Sequence, residues 1–147
     1  MSKKAIGLLA LTLALCIFRP VAAQSANISF DNVAAAFRDA GYVVVGPVVL
    51  STHTALTAMR FVFDSGGMEM FALYLYNNSA AANEGWVVAG DAVEVSRATN
   101  EAMVLMWQES GLDVNLLPNM ITTRGRAGLF VWLGTPGAMA LFESARN

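Results

Sequence analysis

From Ala127 to Leu133 the chain reads AGLFVWL, seven residues without a charge, dominated by Leu, Phe, Val and Trp. A run of that length and chemistry suits a strand buried on both faces of a sheet. Gly134 breaks it. Thr135 and Pro136 then signal a helix start. The hydroxyl can accept from an orphan backbone N–H, and proline at the first helical position gives up a donor that had no partner. Ala138, Met139, Leu141, Phe142 and Ala145 follow at the three- and four-residue spacing of one helix face. The end of the chain therefore predicts a central strand with a helix folded back over it, and the preceding residues must supply the sheet around that strand.

The beginning has a different character. Lys3 and Lys4 precede an apolar run from Ala5 to Phe18, followed by Val21-Ala22-Ala23-Gln24. That run is shorter than the roughly 20 residues of a membrane span but matches the core of a secretory signal. Cleavage before Gln24 is expected, giving a signal peptide at 1–23 and one domain over 24–147. An uncleaved segment anchored in the inner membrane is the alternative. Cys16 lies inside the run after Leu15, a poor setting for lipid attachment, and it is the only cysteine. The processed chain would hold no disulfide, thiolate metal site or cysteine nucleophile.

Beyond Gln24 there are six arginines, no lysine and eleven carboxylates, a net charge of −5. Nucleic acid binding, driven by clustered cations against phosphate, is not expected, and neither is an electrostatic hold on anionic lipid. Hydrophobic residues make up 56% of the whole sequence. Part of that is small-residue content. The remaining surplus points to a protein partner or a homo-oligomer, because exposed apolar surface is tolerated where something covers it.

Along the chain, Asp31 can cap a helix to Ala40, with Val33, Ala36, Phe37 and Ala40 on one stripe and Gly41 as its left-handed exit. YVVVGPVVL reads as a bent or edge strand, because Pro47 cannot donate to a neighbour. TAMRFVF, DSGG and MEMFALYLY form a hairpin. Pairing Phe63 with Met68 puts Met59, Phe61, Phe63, Met68, Met70 and Ala72 on a core face, leaving Arg60, Val62, Glu69 and Phe71 on a half-wet one. Ser79 caps a helix to Gly90, Ala92–Ser96 reads as a short strand, and the apolar MVLMW within 99–111 favours another strand over a helix. Residues 112–123, with Pro118, form an irregular connection. The pattern is α+β: a single, mostly antiparallel sheet of five to six strands with two or three helices packed on it.

Chemistry-bearing residues are sparse. His53 is the only histidine, and Ser51 two residues away cannot meet it in catalytic geometry without a partner from elsewhere. Met68 and Met70 form an M-x-M step that, with His53 and a tryptophan, offers a soft ligand set for Cu(I) or Ag(I); across these few residues it resembles the ligand set of small periplasmic copper-binding proteins. Alternate methionines on a hairpin also serve as core filler. Arg124 and Arg126, two apart and so on one face of a strand, could contact an anion. The Gly134-Thr135-Pro136-Gly137 turn could hold one too, but lacks the glycine spacing and lysine of a phosphate loop. Asn27-Ile28-Ser29 and Asn77-Asn78-Ser79 fit the glycosylation triplet. No carboxylate pair, zinc pattern or cofactor fingerprint is visible, so no cofactor is expected.

The stretch from Pro118 through RGRAGLFVWLGT to Leu141-Phe142-Glu143 resembles the closing segment of small exported bacterial proteins of uncharacterised function. The resemblance covers about a fifth of the chain and departs at Asn119-Met120. It implies export and a strand–helix ending, and it assigns no functional residue.

The leading expectation is a periplasmic or secreted protein that acts by binding or assembly. A soft-metal-binding protein using Met68, Met70 and His53 is the second, and a small hydrolase or isomerase using His53 is the third. One histidine and no paired carboxylates leave few parts for catalysis.

Overall fold

A computed structural model describes residues 28–49, 56–63 and 69–146. The elements in chain order are α1 (Phe30–Asp39), β1 (Val43–Val48), β2 (Leu56–Phe63), β3 (Met70–Tyr76), α2 (Ser79–Glu109), a 3-10 turn (Val114–Leu116), β4 (Thr123–Ala127), β5 (Phe130–Gly134) and α3 (Pro136–Ala145). The class is α+β, as expected. Among the described residues the strands form one antiparallel sheet in the order β1-β2-β3-β5-β4. No described helix is long and apolar enough to cross a membrane.

The two faces of this sheet are covered differently. On one, Phe71 and Leu73 of β3 and Trp132 of β5 meet α1 through Val33 and Phe37, and α3 through Ala138 and Phe142. Phe71 is the hub: its ring lies 5.1 Å from Phe37 and 4.7 Å from Phe142, which in turn lies 4.9 Å from Trp132. On the other face Ala72, Val131 and Leu133 pack against α2. Only small residues of that helix are fully buried, namely Ala81, Ala82, Gly85 and Ala89. They bring its backbone down onto the strands.

Several expectations hold. Val43–Val48 is an edge strand whose register shifts between Val45 and Val48, at the cis Gly46–Pro47 bond. Gly41 closes α1 with φ of 87°. Thr135 precedes α3, whose first residue is Pro136. Others are corrected. The N-cap of α1 is Ser29 rather than Asp31, which sits in the first turn. In the hairpin Phe63 pairs with Met70, two residues from the expected Met68, and Arg60 stands opposite Leu73. A shift of two preserves which residues share a face. The half-wet assignment for Phe71 fails because α1 and α3 pack over β3 and β5 on that face; Phe71 is fully buried.

The run Ala127–Leu133 is not one strand. Ala127 ends β4, Gly128 turns with φ of 57°, and β5 begins at Phe130, paired back to Ala127. β5 is nonetheless interior, and Val131–Gly134 are buried, as their apolar character implied.

The largest correction is α2. Residues expected to form a helix, a short strand and a second strand are one helix of 31 residues, capped by the Asn78 side chain accepting from the Ala81 N–H at 2.9 Å. Gly90, expected to end the helix, sits inside it, as does Gly85. A methyl at Gly85 would overlap the Tyr76 ring, and one at Gly90 would overlap the Arg124 guanidinium. These glycines permit close approach rather than ending the helix. At 1.5 Å per residue the helix is about 46 Å long, two to nearly three times the span of the strands beneath it. The chain then returns beside it, where the Ser96 hydroxyl donates to the Met120 carbonyl at 2.9 Å and accepts from the Thr122 N–H at 3.0 Å.

Candidate functional site

The structure separates the residues singled out in the sequence. His53, Met68 and the N-terminal leader, with Asn27, lie outside the described residues. Met70 begins β3 and packs at the margin of the α2-side core, and its N–H donates to the Thr135 hydroxyl at 3.0 Å. Among the described residues no three His, Cys, Asp or Glu side chains gather as a metal site. Asn77 and Asn78 are both exposed at the start of α2.

Arg124 and Arg126 do share a face, and that face points at α2. The Arg124 guanidinium lies over the Trp86 ring, 3.9 Å from its centroid, and donates to the Trp86 carbonyl. Arg126 donates to Asn83 Oδ1 at 2.5 Å and to the Gly128 carbonyl at 3.2 Å. The pair therefore clamps α2 to the β4 edge. The planar guanidinium stacks and donates at once, which an ammonium could not do.

The Gly134–Gly137 turn does hold an anion, one supplied by the chain itself. Glu69, just before β3, accepts from the Ala138 N–H at 3.2 Å and from the Thr135 hydroxyl, with its carboxylate against Gly137. The Thr135 side chain makes no bond to α3; Glu69 satisfies the first turn in its place. A carboxylate at a helix N-terminus is favoured by the orphan donors and the helix dipole together.

Among the described residues, large apolar side chains stand exposed at Val43, Val45 and Val49 along the β1 edge and, as a longer row, on the outer flank of α2. Val88 and Val95 are each 66% exposed, Leu105 59% and Met106 54%. Val88, Val95 and Ala102 recur every seven residues, and Asp91, Ala98 and Leu105 each follow three further on, so they fall on one side of the helix, with the exposed Asp91 interrupting the apolar row. The opposite side carries the buried Ala82 and Ala89 and the half-buried Ser96, Asn100, Met103 and Trp107.

Beside the first half of this stripe, between α2 and β3, opens a cavity of about 140 Å³ lined by Tyr74, Tyr76, Gly85, Val88, Ala92 and Leu133. The two tyrosine rings stack with centroids 6.4 Å apart. Burial, and secondarily the Tyr76 neighbour, pushes the Tyr74 phenol above its ordinary value, and burial does the same for Tyr76. Both phenols therefore stay neutral well past physiological pH.

Compared with protein-family models, curated proteins and solved structures, the chain has no match. The α2 stripe is hidden in the sequence because its residues fall in an expected helix (Val88) and two expected strands (Val95; Leu105 and Met106). The seven-residue spacing of Val88, Val95 and Ala102 is the signal that would have found it.

Proposed function

We propose that this is an exported, envelope or secreted protein that works by binding or assembly, with the outer flank of α2 as its contact surface. The observation that supports this reading is the row of exposed apolar side chains at Val88, Val95, Leu105 and Met106 on a helix whose opposite side is already used for packing. Hydrophobic residues that contribute nothing to their own core are retained where another surface covers them. Val88 stands at the cavity against β3, and Val95, Leu105 and Met106 continue the row toward the far end of the helix. The acidic, lysine-poor body makes nucleic acid an unsuitable partner, and the leader composition directs the chain to export.

Site-specific photo-crosslinking in cells tests the reading. A photoreactive residue in place of Val95 should give a discrete crosslinked species, of this chain with a partner or with itself. The same residue in place of Pro136, exposed on the far side of the sheet, should not. Equal, diffuse labelling from both positions would overturn the assignment.

A further inference from the structure

Resting on that reading, we propose that the α2 flank receives a positively charged, amphipathic helical segment of another protein. Three features of the surface select this occupant. The first is shape. The flank from Val87 to Met106 spans about 29 Å at the helical rise, so its natural complement is another helix of about 20 residues. Ala92, Ala98 and Ala102 lie among the larger residues of this side and allow a neighbouring helix to approach closely.

The second feature is the cavity. At about 140 Å³ it adjoins the stripe, sharing Val88 and Ala92 with it, and has the stacked Tyr74 and Tyr76 as part of its lining. Apolar cavities of about 150 Å³ hold a group the size of benzene, so one large apolar side chain of the arriving helix fits here. Anchoring by a single buried side chain beside a flatter stripe is how helix-in-groove recognition is organised.

The third feature is charge, and it discriminates between occupants. Helix α2 carries Glu84, Asp91, Glu94, Glu101 and Glu109 against the single base Arg97. Arg97 is already bonded to Glu94 at 3.2 Å. A second copy docking through the same flank would set the acidic helix against itself, with Arg97 as the only base on that helix. Like charges brought together across an interface cost affinity and slow association, whereas Lys and Arg beside the apolar face of a partner would be attracted and aligned.

Fluorescence anisotropy on the purified protein tests this with three labelled peptides of about 20 residues, matching the stripe at the helical rise. One is a Leu/Lys peptide with leucine on a single helix face, one replaces its lysines by glutamate, and one scrambles the Leu/Lys order so that no apolar face forms. Only the first should bind. Val88→Ser with Val95→Ser, which changes no charge, should weaken it about tenfold, the loss of buried apolar contact at two positions. Glu84→Gln, Asp91→Asn, Glu101→Gln and Glu109→Gln together should also weaken it and flatten its salt dependence. Circular dichroism checks that the variants keep their helix. Equal binding of the scrambled peptide, or no effect of the valine changes, would reduce the attraction to bulk charge and overturn the inference. Equal binding of the Leu/Glu peptide would also overturn it. So would a dimer in sedimentation that dissolves with Val95→Glu, though that outcome leaves α2 as a binding surface. No binding of the first peptide overturns the basic-helix occupant, and the crosslinking result at position 95 decides separately whether the binding surface survives.

Discussion

Glu69 shows how a residue's role can depend on a neighbour 69 positions away. In the sequence it is one carboxylate in a strand; in the fold it closes the first turn of α3 by accepting from Ala138 and Thr135. Glu69→Ala should lower stability by about 1 kcal/mol, the ordinary value of a lost N-terminal cap, read as a shift of the urea midpoint. Glu69→Gln should cost less, because the amide oxygen still accepts. Tyr74 and Tyr76 make a second prediction at this scale. Both phenols are raised above 10.0, so the folded chain keeps protons that the unfolded chain releases. Their contribution is complete below pH 10 and is lost as pH rises through the folded values, so stability should fall on that side. Denaturant midpoints measured from pH 8 to 11.5, about the range around a tyrosine's normal titration, should fall less steeply for Tyr74→Phe than for the native chain.

At the scale of elements, α2 is both the main correction and the main functional feature. Its second half stands on two supports: its own hydrogen bonds and the returning segment tied to Ser96. Ser96→Ala removes that tie. The Thr122 amide should then exchange with solvent at least several-fold faster while amides in β5 are unchanged, a local loosening visible by hydrogen exchange. Asn78→Ala should cost about 1 kcal/mol through loss of the cap on Ala81. Strands β1, β2 and β3, the core of β5 and the start of α3 were legible because alternation, apolar runs and a Thr-Pro start act locally, whereas β4, whose TRGRA holds no apolar run, was not. The length of α2 was not. Val93, Val95 and the MVLMW run satisfy a strand as well as a helix, and Gly85 and Gly90 have local propensities that argue for an end. Contact with Tyr76 and Arg124 reverses their meaning.

At the scale of the whole molecule, β3 and β5 are shared by two layers, with α1 and α3 on one side and α2 on the other. Phe71 touches both helices of the first layer, so Phe71→Ala should cost about 3–5 kcal/mol by opening a cavity among Phe37 and Phe142. In a domain of this size that is a large part of the total. By contrast, Val95→Ser, on the exposed flank, should leave the unfolding midpoint within about 0.5 kcal/mol of the native value while disturbing binding. The contrast separates residues that hold the fold from those that face outward.

The amino-acid order alone determined the α+β class, the edge character of β1, the interior position of the terminal apolar strand and the start of α3. Each depends on neighbours a few residues apart, through alternation, caps and proline. Only the tertiary structure decided that residues 79–109 are one helix, that Phe71 faces inward and that the two arginines grip α2. Those outcomes turn on which surface arrives to cover an ambiguous segment. Short-range periodicity does not carry that information; the packing of α2 across β3, β5 and β4 does.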